Sequence, residues 1–416
     1  MMLSFPAFAG LEPQKPDALL ALIAEYRADP RVDKIDVGVG VYRSETGDTP
    51  VMRAVKDAEA ALLAGQISKS YLGAEGDQRF AQLLWYLVSG NETLGAHRFG
   101  LQTPGGTGAL RVGAELMARA RPDARVWIGE PTWPNHAPIF RGAGLEVRTH
   151  PYFDQSTGSV DFDAMMLALS ETEAGDVLLL HGCCHNPTGT RFSQEQWKTL
   201  AAVCNRRGLI PFIDLAYQGL GDGMEEDAQG ARHMLAAVPD ALLAYSCDKN
   251  FAVYRDRVGA LFVQTGTESS LELARTNALT IARSLWSMPP DHGAAVVRMI
   301  LDNATLRADW ASELTDMRRR LQKVRQGLAL AHPLLAPIAT QRGLFSRLSI
   351  DADAVAAVRR THGIYMPADG RINIAGLNQA NLSRFVDGVL PHLLAHPHRH
   401  AAAIDHRHAG QSGCHA

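Results

Sequence analysis

The sequence lacks any apolar run close to the roughly 20 residues that a membrane-spanning helix needs. Its first residues, MMLSFPAFAGLEPQKPD, also lack the basic and apolar stretches of a secretory signal peptide. Charge of one sign is equally scarce, because 41 Lys and Arg stand against 44 Asp and Glu, for a formal net charge of −3. We therefore expect no membrane partner and no nucleic-acid partner.

Cysteine is also scarce, with five residues in 416: Cys183, Cys184, Cys204, Cys247 and Cys414. The adjacent pair matches no zinc-ligand spacing. An odd count in a long chain does not indicate a disulfide framework. These features predict a reducing, cytoplasmic environment and no metal site.

The middle of the chain alternates short apolar runs with longer amphipathic runs, which is typical of an α/β fold. Five apolar runs are predicted as strands: Arg125–Gly129, Val177–His181, Leu209–Asp214, Ala241–Ser246 and Gly259–Val263. The clearest helical patterns between them are Ala109–Ala120 and Gln194–Arg207. The pattern is helical again from Ala294 to Leu330, and two further strands are predicted at Gly343–Ile350 and Arg371–Ile374.

At 416 residues the chain is longer than one hydrophobic core usually fills, so two domains are expected. We predict a large α/β domain at residues 49–314 and a smaller domain at residues 315–394. Residues 1–48 are expected to pack back on the smaller domain. Residues 395–416 combine histidine with Ala, Arg and Gly without apolar periodicity, which predicts a disordered tail, and metal binding by these histidines stays open as an alternative.

Polar residues gather where the predicted strands end. Four strands lead into the stretches GEPTWPNH, HGCCHNPTG, IDLAYQGLGDG and SCDKNFAVYRDR. In open α/β sheets, ligands bind beyond the carboxyl ends of the strands. The sequence therefore predicts one shared pocket, built from side chains at several strand ends.

A glycine-rich stretch, TPGGTGALR, comes directly before a helical pattern. Gly105, Gly106 and Thr107 would direct free backbone N–H groups and the positive end of the helix at one point, which suits a phosphate. A flexible glycine loop is an equal alternative for this motif alone. The stretch is not a Walker loop, because no Lys-Ser/Thr pair follows the glycines, and it does not match G-x-G-x-x-G.

Lys249 follows the predicted strand Ala241–Ser246. A lysine just past a buried strand can be partly desolvated, which favours the neutral, nucleophilic amine. A lone lysine at a strand end is more often a surface residue. Ser246 and Arg257 change that balance, because a hydroxyl and a bidentate guanidinium could complete the same phosphate site. Together these residues predict a lysine that forms a Schiff base.

Asp214 ends an apolar strand, where a carboxylate needs a cationic partner. The protonated ring nitrogen of pyridoxal phosphate (PLP) is such a partner, and a helix cap is an equal alternative. Asn186 and Tyr217 could both hydrogen-bond the phenolic oxygen of that ring, although Asn-Pro-Thr-Gly alone indicates only a turn. Trp133, flanked by prolines, could stack on the ring, although a lone tryptophan is more often a core residue.

The chain resembles the aspartate and aromatic-amino-acid aminotransferases, which are PLP enzymes of fold type I. The motifs run in family order: GVGVYRSETGDTPV, YLGAEGD, GGTGAL, EPTWPNH, HNPTG, DLAYQG, KNFAVYRDRVG, SMPPDHGA and GRINIAG. The resemblance is strongest to bacterial aromatic-amino-acid aminotransferases. It implies a large domain with a mixed α/β sheet that binds PLP, a smaller α+β domain, and a homodimer with shared active sites.

The resemblance also implies a role for each residue that would bind the cofactor. Lys249 would hold PLP as a Schiff base and move the substrate proton. Asp214 would bind the ring nitrogen, while Asn186 and Tyr217 would bind the phenolic oxygen. The phosphate would be held by residues of the chain itself and by a tyrosine of a second subunit: Gly105, Gly106, Thr107, Ser246, Arg257 and Tyr71.

For the substrate, the resemblance implies that Arg371 grips the α-carboxylate and that Arg283, from the neighbouring subunit, receives a distal carboxylate. Gly40, Trp133 and Asn186 would lie beside the substrate. The implied reaction moves the amino group of aromatic amino acids or aspartate to 2-oxoglutarate by a ping-pong mechanism, with amino acids and 2-oxo acids as the small-molecule partners.

Two positions depart from the family. Asp248 replaces the usual serine before the lysine and would place a negative charge beside the lysine and the phosphate. Met288 replaces the asparagine often found before the double proline, which could favour aromatic substrates. Two alternatives remain open: another fold type I PLP enzyme, such as a lyase or decarboxylase, and a PLP-binding regulator without turnover.

Overall fold

The computed structural model describes residues 8–13 and 18–395. Its strands are β1 (Ile35–Asp36), β2 (Arg98–Pro104), β3 (Arg125–Glu130), β4 (Glu146–Pro151), β5 (Phe153–Asp154), β6 (Ser159–Val160), β7 (Val177–His181), β8 (Ile210–Leu215), β9 (Ala241–Ser246), β10 (Val258–Gln264), β11 (Phe345–Arg347), β12 (Ile364–Tyr365) and β13 (Arg371–Asn373). Its α-helices are α1 (Ala18–Ala28), α2 (Arg53–Gly65), α3 (Gln78–Ser89), α4 (Gly105–Ala120), α5 (His136–Gly142), α6 (Phe162–Ala168), α7 (Gln194–Arg207), α8 (Met224–Ala237), α9 (Glu268–Trp286), α10 (Asp291–Asp302), α11 (Ala304–Ala331), α12 (Ala352–His362) and α13 (Leu382–Leu394). Short 3₁₀ helices lie at Leu169–Glu171, Pro333–Thr340 and Ile374–Gly376.

Within the described chain, seven strands form the central sheet in the order β2-β10-β9-β8-β7-β3-β4. Strand β10 runs antiparallel to both β2 and β9, and the remaining neighbours are parallel. The register of β7 and β8 places His181 beside Asp214. The predicted α/β fold with a large mixed sheet is confirmed.

The central sheet is buried on both faces because its inner strands are apolar at successive positions. In β7, Leu178 and Leu180 pack into one core, whereas Val177 and Leu179 pack into another. Successive side chains of a strand point to opposite faces, so a strand that is apolar throughout needs cover on both sides. Helix α8 contributes to the first core and helix α4 to the second.

The five runs predicted as strands of the sheet are confirmed as β3, β7, β8, β9 and β10, with ends that shift by one residue at most. Strands β2 and β4 are not among the predicted strands. Strand β4 lies at the edge of the sheet and is largely exposed, so it carries no continuous apolar run. Strand β2 is buried, but its sequence RFGLQTP interrupts the apolar pattern with glycine and polar residues.

The helical pattern from Ala294 to Leu330 is two helices rather than one. Helix α10 ends at Asp302, and the Asn303 side chain accepts hydrogen bonds from the backbone N–H groups of Thr305 and Leu306. This cap at the start of α11 replaces the intrahelical partners that these N–H groups lack, so a new helix begins there.

The segment after β1 is held against strands from near the other end of the chain. Strand β1 pairs in parallel with β12, and β11 pairs antiparallel with β13. The Asn373 side chain donates hydrogen bonds to Val39 O at 2.5 Å and to Val41 O at 2.7 Å. Residues 39–41 are thereby fixed beside β13, which begins with Arg371.

The division of the chain into residues 1–48, 49–314 and 315–394 stays a prediction. The predicted tail at residues 395–416 lies outside the described residues except for Ala395. In the part of the chain that the structure describes, no helix has both the length and the apolar composition that crossing a bilayer requires.

Candidate active site

The candidate site lies at the edge of the central sheet where β3, β7, β8 and β9 have their carboxyl ends. Strand β2 ends at the same edge and β10 begins there, because β10 is antiparallel to both of its neighbours. A cavity of about 320 Å³ opens at this edge. Its wall contains most of the residues predicted for the site: Gly40, Gly106, Thr107, Trp133, Asn186, Asp214, Tyr217, Ser246, Lys249, Arg257 and Arg371.

Hydrogen-bond donors converge where α4 begins. Gly105 has a φ of +69°, a conformation that glycine adopts without strain. A Cβ atom at Gly105 would lie 2.8 Å from Arg257 Nη2, and one at Gly106 would lie 3.1 Å from Ser246 Cβ. Because both positions lack a side chain, the helix N-terminus, a hydroxyl and a guanidinium surround one small space. This cradle suits a phosphate group.

Lys249 lies just beyond β9 and reaches into the cavity. Its Nζ atom is 4.0 Å from Asp248 Oδ2 and 5.7 Å from the centre of the Tyr217 ring. Burial lowers the pKa of Lys249, and the carboxylates of Asp248 and Asp214 oppose part of that shift. The lowered pKa increases the fraction of neutral amine, which is both the nucleophile and the form that accepts a proton.

Asp214 is supported from behind by a chain of hydrogen bonds. His136 Nε2 lies 3.0 Å from Asp214 Oδ2, and His136 Nδ1 lies 2.8 Å from the Thr132 hydroxyl. His181 Nε2 lies 3.1 Å from the same hydroxyl. Burial by itself raises the pKa of Asp214, but the hydrogen bond with His136 and nearby charges outweigh burial and lower the pKa. The cavity therefore contains an ionised carboxylate that can bind a cation.

Tyr217 and Asn186 present polar groups to the same cavity. Burial raises the pKa of the Tyr217 hydroxyl, so this group stays protonated and can donate a hydrogen bond. Asn186 Oδ1 accepts a 3.4 Å hydrogen bond from Arg371 Nη1. The amide NH₂ of Asn186 is then the part of the side chain that can donate to a ligand.

Arg371 is buried, with 8% of its surface exposed, and its Nε atom has no hydrogen-bond partner among the described residues. Its Nη2 atom donates to Gly38 O at 3.2 Å, and its guanidinium carbon lies 4.6 Å from the centre of the Phe345 ring. A Cβ atom at Gly40 would lie 2.7 Å from that ring, so a side chain at this position would displace Phe345. A buried guanidinium with an unused donor is suited to the carboxylate of a ligand.

Trp133 is partly buried in the wall of the cavity. Its ring meets the ring of His136 edge to face, with the ring centres 5.2 Å apart. The contact fixes the indole beside the histidine that binds Asp214. A flat apolar surface therefore lies close to the carboxylate, which is the arrangement that a charged aromatic ring would need.

Three predicted site residues do not line the cavity of this chain: Gly105, which lies next to it at the start of α4, and Tyr71 and Arg283, which lie away from it. Tyr71 is 93% exposed, and Arg283 is exposed near the end of α9. The segments that carry them adjoin, because the backbone N–H of Leu72 lies 3.0 Å from Met288 Sδ. Their assignment to the site of a partner subunit stays a prediction.

The structure adds residues that the sequence patterns do not single out as part of the site. His136 and His181 form the hydrogen-bond chain behind Asp214, and Phe345 packs on Arg371. A weak signal exists for the two histidines, since both lie in the polar stretches where strands end. Phe345 carries no such signal, because its strand is short and distant in sequence from the other strands of the site.

Away from these residues, one group of possible metal ligands among the described residues consists of Cys183, Cys184 and Asp227, whose ligand atoms lie within 4.8 Å of one another. The Asp227 carboxylate accepts hydrogen bonds from the backbone N–H groups of Gly219 and Gly221, at 2.8 Å each. These bonds give the carboxylate a structural role in the loop before α8.

The chain matches the family model "Aminotransferase class I and II" over residues 32–389. It therefore belongs to this family and is a PLP-dependent aminotransferase of fold type I. The predicted family, enzyme class and cofactor are confirmed.

Curated relatives extend over nearly the whole chain. It is 51% identical over 377 residues to a tyrosine aminotransferase of Rhizobium meliloti (strain 1021), which covers 90% of this chain and 97% of that protein. It is 45% identical over 374 residues to an aromatic-amino-acid aminotransferase of Paracoccus denitrificans, with coverage of 88% and 95%. It is 42% identical over 383 residues to an aspartate aminotransferase of Escherichia coli (strain K12), with coverage of 90% and 97%.

Solved structures agree with this assignment. An aromatic-amino-acid aminotransferase from Burkholderia pseudomallei, covalently bound to pyridoxal phosphate, superposes with a TM-score of 0.90 at 36% identity, covering 94% of this chain and 100% of that chain. An aromatic amino acid aminotransferase with 3-indolebutyric acid superposes with a TM-score of 0.89 at 43% identity, covering 92% and 99%.

Proposed function

We propose that this aminotransferase moves the amino group of aromatic amino acids and of aspartate to 2-oxoglutarate in two alternating half-reactions. The observation that carries the proposal is the presence of Lys249 and Arg371 in one cavity. The first is a partly buried amine with a lowered pKa, and the second is a buried guanidinium with an unused donor. A base and a carboxylate-binding group in the same cavity are what proton removal from an α-amino acid requires.

The cavity fits PLP at each of its polar groups. The cradle at the start of α4 would hold the phosphate, Asp214 would bind the ring nitrogen, and Asn186 and Tyr217 would bind the phenolic oxygen. Trp133 would lie against the ring. When bound, PLP supplies an electron sink that stabilises negative charge at the substrate α-carbon.

Three side chains of the protein would carry out the other steps of the reaction. Lys249 acts as the nucleophile that holds the cofactor and as the base that takes the substrate α-proton at Nζ. Arg371 binds the α-carboxylate in both half-reactions and so fixes the α-carbon near Lys249. Asp214, kept ionised with the help of His136, favours a proton on the ring nitrogen of the cofactor.

The proposed substrate class combines two kinds of side chain. Trp133 and Phe345 give the cavity apolar surface for an aromatic ring, and relatives at 51% and 45% identity carry tyrosine and aromatic amino acids in their names. A relative at 42% identity is an aspartate aminotransferase. For acidic substrates and 2-oxoglutarate, Arg283 of a partner subunit would bind the distal carboxylate.

A homodimer in a reducing compartment completes the proposal. Tyr71 and Arg283 are exposed in the single chain, which supports a role across an interface rather than within one subunit. The four cysteines in the described residues are free and buried, which supports a cytoplasmic location.

A single-turnover experiment tests this function. The holoenzyme is mixed with excess tyrosine, phenylalanine or aspartate in the absence of a 2-oxo acid, and the absorbance of the cofactor is followed. We expect each amino acid to convert PLP to pyridoxamine phosphate, and 2-oxoglutarate to restore the starting spectrum. A lyase or decarboxylase would release its products without this stoichiometric conversion, and a regulator would show no conversion.

A further inference from the structure

Asp248 places a carboxylate inside the cradle at the start of α4. The residue is 1% exposed and lines the cavity. Its Oδ2 atom pairs with Arg257 Nη1, and its Oδ1 atom accepts a 3.1 Å hydrogen bond from the Val258 N–H. The same Oδ2 atom is 4.0 Å from Lys249 Nζ and 3.2 Å from the position of a Cβ atom at Gly105. A buried negative charge thus adjoins the space that suits a phosphate.

The ion pair between Asp248 and Arg257 reduces the net positive charge that the cradle presents to an anion. Arg257 supplies the guanidinium of the cradle, and Asp248 already neutralises much of its charge. A phosphate that binds Arg257 must share this guanidinium with the carboxylate and is repelled by it. Because Asp248 is buried, water and salt screen this repulsion less than they would at the surface.

We propose that Asp248 weakens the hold of the cradle on the cofactor phosphate, so that cofactor not linked to Lys249 exchanges readily with solution. The inference rests on the proposed function, because it takes the cradle to be the phosphate site. Pyridoxamine 5′-phosphate depends on the cradle most, since it has no covalent bond to Lys249. Asp248 is therefore an affinity-determining residue for the amine form of the cofactor.

The opposite role, in which Asp248 strengthens binding by orienting Arg257, predicts the opposite sign. The geometry favours repulsion, because Arg257 Nη1 also donates to Tyr254 O at 3.3 Å and keeps this anchor without the carboxylate. Asp248→Asn preserves the size of the side chain and an oxygen for the Val258 N–H. A tighter complex in this variant indicates repulsion in the natural protein, and a weaker complex indicates orientation.

The test is a calorimetric titration of the apoprotein with pyridoxamine 5′-phosphate. We expect the Kd to fall about tenfold or more in Asp248→Asn and in Asp248→Ser, relative to the natural sequence. Unphosphorylated pyridoxamine should bind all three proteins equally, because it lacks the group that Asp248 repels. Asp256→Asn is the matched control: it removes the same charge from the same loop at a residue that does not line the cavity.

Three outcomes overturn the inference: an unchanged or raised Kd in Asp248→Asn, an equal gain for pyridoxamine, or an equal gain in Asp256→Asn. Thermal melting of each apoprotein identifies a variant that fails to fold. If one substitution at position 248 fails to fold, the Kd of the other substitution tests the inference. Failure of the proposed phosphate site has a different signature. In that case Arg257→Leu leaves the Kd of pyridoxamine 5′-phosphate unchanged.

Discussion

His136 Nε2 lies 3.0 Å from Asp214 Oδ2, and both side chains are buried. An ionised carboxylate can only accept hydrogen bonds, so the imidazole is the donor. The bond favours the charged form of Asp214, and burial opposes it. The balance between these two effects decides whether Asp214 is ionised and can bind a cation in the cavity.

Replacing His136 by Phe keeps a ring of similar size and removes the donor, so the pKa of Asp214 should rise. The Asp214 carboxylate is charged above its pKa, and its charge is lost as the pH falls through that pKa. Because the variant raises this pKa, the acidic side of the rate profile should move to higher pH. A hydrogen bond to a charged group is worth about 1.5–3 kcal/mol, which corresponds to a rate loss of about tenfold or more. The rate of the phenylalanine half-reaction is measured against pH. His136→Gln, which keeps a donor, should recover part of the loss, and an unmoved profile in His136→Phe would contradict the role.

Replacing Lys249 by Ala removes both the nucleophile and the base. We expect PLP to bind without a covalent bond, which absorbance and borohydride treatment can detect. Loss of a positioned general base typically lowers the rate by about 10²–10⁴-fold, so the half-reaction should slow by at least that range. Added methylamine, which can enter the space of the missing side chain, should restore some activity. Near-normal activity without an added amine would overturn the assignment of Lys249.

Two arginine variants should show which arginine binds each of the two carboxylates of a dicarboxylic substrate. Arg371→Leu should damage every substrate, since all share the α-carboxylate. Arg283→Leu should lower kcat/KM for aspartate by roughly a hundredfold, because losing a charge-assisted pair typically costs about 2–5 kcal/mol. Phenylalanine, assayed in the first half-reaction alone, should lose little in Arg283→Leu. The control is Arg275→Leu on the same helix, where the native arginine pairs with Glu272. Equal losses for aspartate and phenylalanine in Arg283→Leu would assign Arg283 a structural role instead.

Hybrid dimers should reveal whether the active sites are shared. Lys249→Ala and Arg283→Ala subunits should each retain about 1% or less of the activity with aspartate in the proposed dimer, but a hybrid contains one site with both residues. Random reassembly of an equal mixture should restore roughly a quarter of the natural activity, because half of the dimers are hybrids with one intact site. The control mixture, Lys249→Ala with Arg371→Ala, should restore nothing, because Lys249 and Arg371 line the cavity of one chain. A fully active monomer in sedimentation would exclude shared sites.

Residues at the strand ends were predictable because their signals are local. An apolar run followed by Ser246 and Lys249, or a run that ends in Asp214, shows both the strand and the point where its polar side chains emerge. The signal of the glycine pair at the start of α4 is equally local, since the lack of a side chain there follows from the turn into the helix. These patterns predict most of the residues that line the cavity without knowledge of the fold.

Other features depend on contacts between distant segments, which no local pattern reports. Phe345 reaches Arg371 only because β11 pairs with β13, and the sequence of β11 predicts a longer strand than the three residues that form. Strand β4 is too exposed to show an apolar run, and the polar residues of β2 are compatible with burial only inside the assembled sheet. The pairing of His136 with Asp214 likewise appears only when β3 and β8 lie in one sheet.

The hydrogen bond from Arg371 Nη2 to Gly38 O joins positions 333 residues apart in the chain. By contrast, the cradle and Lys249 lie between Gly105 and Arg257. A ribosome makes the chain from its N-terminus, so Arg371, the residue proposed to bind the α-carboxylate, is added only late in translation. In the proposed site, the residues that would bind the cofactor are therefore synthesised before the residue that would bind the substrate carboxylate. A nascent chain that ends before Arg371 contains Lys249 and the proposed phosphate cradle but lacks the residue proposed to bind the α-carboxylate.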